Sequence, residues 1–61
     1  MEATHMTAET KIAIQDATYD VLSGNWDIED FYEMKTSPEI QNEISLDEFV
    51  AAVNRRLRLM Q

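Results

Sequence analysis

Hydrophobic residues recur at helical spacing along the chain, and no segment shows the alternation typical of a strand. The first helical segment runs from about Ala8 to Ser23, with Thr7 as its N-cap and Gly24 directly after its end. Its apolar positions predict a face turned toward a core. Ile14, Ala17, Val21 and Leu22 share this face, and Ile12 and Tyr19 lie alongside it, one heptad apart.

Two short helices are predicted in the middle of the chain. Asp27 is the expected N-cap of the first, and Trp26 is placed to fold over Phe31 as a hydrophobic staple. Ser37 is the expected N-cap of the next, with Pro38 at the first helical position, where a missing N–H costs nothing.

The last helix has the strongest start signal. Ser45 and Glu48 have the spacing of a capping box, and Ile44 and Phe49 have the spacing of a second staple. A helical apolar repeat then continues to the end of the chain. It consists of Leu46, Phe49, Val50, Val53, Leu57 and Met60.

These segments predict an all-α fold, a compact bundle of three to four short helices. Residues 1–5 are interpreted as the remnant of an expression tag, because "MEATHM" places His-Met before a natural-looking start, and residues 6–61 as a single helical domain. A chain of 61 residues buries only about 60% of its unfolded surface. With no cysteine for disulfides, tight helix packing or homodimerisation must complete the core.

Composition narrows the classes of function. The net charge of −7 disfavours direct binding to nucleic acid or to an anionic membrane, and no apolar run approaches the roughly 20 residues of a membrane span. The chain has one histidine, no nucleophile–base pair and no glycine-rich phosphate loop. We therefore expect a cytoplasmic, non-enzymatic protein without catalytic residues, metal or cofactor.

One stretch, "NEISLDEFVAAV", resembles the second half of a calcium-binding EF-hand. The resemblance would make Glu48 the bidentate ligand and Ile44 the β-bridge residue. The pattern departs from the family before that point, because Asn42 stands where the turn glycine belongs and Pro38 falls inside the loop. The capping box accounts for the same residues, so no calcium site is predicted.

Acidic residues dominate the middle of the chain. Asp16, Asp20, Asp27, Glu29, Asp30 and Glu33 occur without an intervening lysine or arginine. Helix N-termini favour the charge of Asp27, Glu29 and Asp30, but Asp16 and Asp20 repel each other four positions apart. Their compensating partner is either an arginine of the last helix or a basic surface on another protein. Trp26 and Tyr32 are candidate anchors for such a partner.

Three arginines, Arg55, Arg56 and Arg58, occupy the final turns of the last helix, where the helix dipole favours cations. Ala52 and Leu59 form a narrow apolar strip with Arg55 and Arg56 between them. Apolar residues beside arginines are typical of interfaces, so the strip is a candidate for self-association. A single exposed leucine is the simpler explanation.

The leading functional hypothesis is a small acidic interaction module, a regulator or inhibitor that binds a basic surface of another protein. Its extreme form is a DNA mimic, whose carboxylates imitate phosphates. Two alternatives stay open: a dimeric nucleic-acid-binding protein that uses the arginine helix, and an oligomeric structural or assembly subunit.

Overall fold

The computed structural model describes residues 6–60, and the interpretation of residues 1–5 falls outside that range. Four helices form this part of the chain: α1 Ala8–Leu22, α2 Ile28–Lys35, α3 Pro38–Glu43 and α4 Leu46–Leu59. The described residues contain no strand. The predicted all-α bundle of short helices is confirmed.

Serine and threonine side chains begin three of the helices. Thr7, Ser37 and Ser45 each accept a hydrogen bond from the backbone N–H three residues later, at 3.3, 3.3 and 3.2 Å. The Glu48 carboxylate in turn accepts a hydrogen bond from the Ser45 N–H at 3.2 Å, which completes the predicted capping box. Asp27 occupies the N-cap position of α2, but its side chain makes no capping hydrogen bond.

The end of α1 depends on the single glycine of the chain. Gly24 has a φ of 78°, in the left-handed region that glycine adopts without a Cβ penalty. The N–H of Asn25 donates to the Asp20 carbonyl and the N–H of Gly24 to the Val21 carbonyl, both at 3.0 Å. This is the Schellman pattern, and it turns the chain from α1 into α2.

The core is centred on α4, which packs against both α1 and α2. Phe49 and Val53 are fully buried. The centre of the Phe49 ring lies 6.2 Å from the centre of the Phe31 ring and 5.1 Å from that of the Tyr32 ring, within the range of favourable aromatic pairing. The other buried apolar residues are Ala13, Ile14, Ala17, Ile40 and Ile44.

The predicted apolar face of α1 is partly wrong. Ile12, Tyr19 and Leu22 are 55%, 53% and 52% exposed. The buried stripe instead consists of small residues around one isoleucine: Thr10, Ala13, Ile14, Ala17 and Thr18. The Thr18 hydroxyl donates to the Ile14 carbonyl at 2.7 Å, so its burial leaves no hydroxyl proton without a partner.

A carboxylate at the end of α3 holds the start of α1. Glu43 accepts hydrogen bonds from the Thr7 N–H at 3.1 Å, from the Thr7 hydroxyl at 2.9 Å and from the buried Thr10 hydroxyl. The bonds from Thr10 and then Thr7 lower the pKa of the Glu43 carboxyl below its ordinary value of 4.5, while burial acts in the opposite direction. Glu43 thereby joins two helices that are distant in sequence.

Candidate protein-binding surfaces

The beginning of α2 carries an acidic surface formed by Trp26, Asp27, Glu29 and Asp30. The three carboxylates are exposed and Trp26 is half-buried. Two open grooves of about 350 and 410 Å³ lie beside these residues, and Asp27 and Asp30 line both of them. The grooves therefore adjoin, and they bring together four of the residues predicted to bind a partner.

Apolar side chains lie next to the carboxylates of the acidic surface. The larger groove is lined by Val21, Ile28 and Val50 as well as by Asp27, Glu29 and Asp30. None of the described residues that line either groove is basic. The arrangement offers negative charge and apolar contact to the same incoming group.

Trp26 packs against the core on one side and meets a cation. The Lys35 ammonium lies 5.2 Å from the centre of the Trp26 ring, within cation–π range. The ring therefore lies at the boundary between the core and the acidic surface. This position is compatible with the predicted anchor role. Because the core covers part of the ring, only the remaining part is available for contact with a partner.

Tyr32 does not lie on the surface, so its predicted role as a partner anchor is wrong for the folded chain. It is only 8% exposed, and its hydroxyl donates to the Ile44 carbonyl at 2.7 Å and approaches the Gln41 carbonyl at 3.2 Å. Aromatic packing on Phe49 and these bonds place Tyr32 in the core, where it joins α2 to the end of α3.

The remaining predicted acids do not join one continuous face. Asp16 lines a separate groove of about 230 Å³ between α1, α2 and α3, together with Glu9 and Lys35. Asp20 is half-buried in the last part of α1, and Glu33 is exposed on α2. The cation that shares the groove with Asp16 is thus Lys35, not an arginine of α4.

Two of the arginines lie at a different groove, between α1 and α4. Lys11, Arg55 and Arg56 surround the side chains of Met6, Ile14 and Ala52 in a groove of about 220 Å³, which we call the basic groove. Ala52, Arg55 and Arg56 were predicted as interface residues and are brought together here. Leu59, the fourth, is 79% exposed and does not line the groove.

The carboxylate of Glu48 is used for helix capping, which agrees with the capping interpretation over the calcium one. Residues 38–43, where the calcium loop would lie, form α3. Within residues 6–60 no group of three histidine, cysteine or acidic side chains is arranged to hold a metal ion. No helix in the same part of the chain is long and apolar enough to cross a bilayer.

Sequence reasoning missed Lys11, Lys35 and Glu43 as members of these arrangements. Lys11 reaches the basic groove only because α1 packs on α4, and Lys35 reaches Trp26 only because α2 is folded. No local pattern in the sequence marks either pairing.

Comparison with family models, with curated proteins and with solved structures gives no match to this chain.

Proposed function

We propose that this chain is a non-catalytic interaction module that binds a basic surface of a partner protein through its acidic surface. The observation that supports this most directly is the pair of adjoining grooves that share Asp27 and Asp30, with apolar residues and no lining cation. Lysine and arginine carry both a cation and an apolar stem, so they match such a site.

Binding would proceed by electrostatic attraction followed by contact. The net charge of −7 attracts a basic partner over roughly a Debye length of 8 Å at physiological salt, and the three carboxylates at the start of α2 orient it. Val21, Ile28 and Val50 then provide apolar area for the stems of the docked side chains. The carboxylate of Asp27 is available for this because it makes no capping bond.

Affinity purification with matched variants tests the proposal. Asp27→Asn with Asp30→Asn removes two charges from the acidic surface. Glu39→Gln with Asp47→Asn removes two charges from the first turns of α3 and α4, outside both grooves, and serves as the control. A basic partner retained by wild type and control but lost by the first variant supports the proposal. Equal retention by all three contradicts it.

DNA mimicry is a special form of the same proposal. It applies if the partner binds nucleic acid, and it predicts that the chain and a duplex oligonucleotide compete for the partner. Wild-type chain should then displace the duplex, while the chain with Asp27→Asn and Asp30→Asn should displace it poorly. Simultaneous binding of chain and duplex would exclude mimicry and leave protein binding in place.

A further inference from the structure

The basic groove concentrates positive charge in an acidic protein. It holds Lys11, Arg55 and Arg56, three of the five basic residues of the chain. All three are exposed, whereas Ile14 is buried and Met6 and Ala52 are half-buried between them. The groove thus has an apolar floor and cationic edges, a composition that fits an apolar side chain flanked by carboxylates.

The size of the groove favours a protein side chain as its occupant. Its volume of about 220 Å³ is below the roughly 300–1,000 Å³ typical of small-molecule sites. It is also open along the junction of α1 and α4 rather than enclosed. A helix can place one large side chain on such a floor and set neighbouring polar side chains against the edges.

A symmetric dimer that pairs two copies of the groove is unfavourable. An isologous contact brings the same surface of both copies together, so Lys11, Arg55 and Arg56 would meet their own counterparts. Like charges placed opposite each other across an interface are strongly unfavourable. Self-association through the groove therefore needs a different, acidic surface on the second copy.

The outer side of α2 provides that surface. Met34 is 72% exposed, and Asp30 and Glu33, four and one positions before it, are exposed as well. Asp30 and Met34 lie on one side of the helix because residues four apart are neighbours on a helix surface. We call Asp30, Glu33 and Met34 the α2 ridge. It presents one exposed apolar side chain, Met34, with two carboxylates beside it.

We propose that the α2 ridge of one copy docks in the basic groove of another. Met34 rests on Met6, Ile14 and Ala52, while the carboxylates of Asp30 and Glu33 meet Lys11, Arg55 and Arg56. The contact joins two different sets of residues, and each copy carries both the ridge and the groove. It goes beyond the proposed function, since Glu33 and Met34 line neither groove of the acidic surface, and Asp30 is the residue that the two surfaces share.

Sedimentation velocity of the wild-type chain at increasing concentration tests the proposal. At about 0.15 M salt the Debye length of about 8 Å screens the repulsion between two chains of net charge −7, while contacts at the groove persist. Wild type should form larger species as concentration rises toward about 1 mM, as mass action requires. A monomer over the whole range overturns the proposal.

Charge reversals locate the contact. Arg56→Glu and Glu33→Lys should each raise the dissociation constant about tenfold or more, because each places like charges together. Arg58→Glu and Asp16→Lys change the net charge equally at exposed sites outside the ridge and groove, and should leave association intact. Circular dichroism checks that every variant keeps its helices. Equal weakening by the controls overturns the proposal.

Mixing the two disabled variants tests whether the ridge pairs with the groove rather than with a second copy of itself. The Arg56→Glu chain keeps its ridge and the Glu33→Lys chain keeps its groove, so an equimolar mixture should associate more tightly than either variant alone. A mixture that associates no more tightly overturns the proposal, as does undiminished association of Glu33→Lys alone. Arg56-dependent binding of a short DNA duplex without self-association would also overturn it and favour the nucleic-acid alternative.

Discussion

The carboxylate of Glu43 accepts a hydrogen bond from the buried hydroxyl of Thr10, which lies 33 positions earlier in the chain. Thr10 is fully buried, and this bond satisfies its hydroxyl proton. The same carboxylate bonds to the backbone and side chain of Thr7 at the start of α1. It thus adds negative charge at the helix N-terminus, where such charge is favourable, from a residue outside the helix.

Acid sensitivity should follow from this arrangement. The folded-state pKa of Glu43 is lowered, so the stability it contributes is fully present above its ordinary pKa of 4.5 and is lost as pH falls through the lowered value. Glu43→Gln and Thr10→Val should both lower Tm at neutral pH. Their Tm should also fall less steeply than that of wild type on acidification.

Thermal unfolding followed by circular dichroism across the acid range measures this effect. Glu39→Gln is the control, since Glu39 is an exposed carboxyl at the start of α3. Parallel Tm curves for wild type, Glu43→Gln and Thr10→Val would show that the bonds to Glu43 do not set the acid sensitivity.

Tyr32→Phe should affect stability rather than partner binding. Removing the hydroxyl leaves the buried Ile44 carbonyl without this donor, at a cost of about 1–3 kcal/mol in free energy of unfolding. Tyr19→Phe is a matched control, because Tyr19 is 53% exposed and its change should stay within about 0.5 kcal/mol. Chemical denaturation compares the two. If Tyr32→Phe left the free energy of unfolding unchanged but abolished binding of a partner, the predicted anchor role of Tyr32 would be supported instead.

The capping box should stabilise α4 without calcium. Ser45→Ala removes the bond to the Glu48 N–H and should cost about 0.5–2 kcal/mol. Ser23→Ala is the comparison, because Ser23 caps α1 through its backbone N–H, and the change should fall within about 0.5 kcal/mol. Added Ca²⁺ should leave the Tm of wild type unchanged. A calcium-dependent rise that Glu48→Gln abolishes would favour the EF-hand resemblance instead.

Local signals explain why the helix boundaries could be predicted. Thr7, Ser37 and Ser45 cap the helices that follow them directly, and Gly24 ends α1 through its own backbone angle. These interactions span a few residues, so short stretches of sequence contain all the information they need.

The buried side of α1 depends on tertiary contacts and was harder to predict. Burial of Thr10 requires Glu43, which lies at the far end of α3. Ile12 and Tyr19 have suitable helical spacing, but the buried side of α1 carries Ala13, Ile14 and Ala17 instead. Apolar periodicity alone does not distinguish these two sides of the helix.

The candidate sites also differ in how far the sequence alone could predict them. Asp27, Glu29 and Asp30 are adjacent in sequence, so the acidic surface could be predicted directly. The basic groove joins Lys11 to Arg55 and Arg56 across more than forty positions. That grouping follows only from the packing of α1 on α4. The position of Tyr32 could not be predicted from the sequence, because an aromatic residue among acids is typical of both a surface anchor and a core residue.

Trp26 provides the most direct test of the acidic surface, because it is the single tryptophan of the chain and lines one of the grooves. Its fluorescence should be followed while an arginine- and leucine-rich amphipathic peptide is added to wild type, to the Asp27→Asn, Asp30→Asn variant and to the Glu39→Gln, Asp47→Asn control. We predict saturable changes for wild type and control, with a dissociation constant about tenfold higher for the first variant. Equal dissociation constants for all three proteins, or no change in Trp26 fluorescence, would contradict the proposal that this surface binds a basic partner.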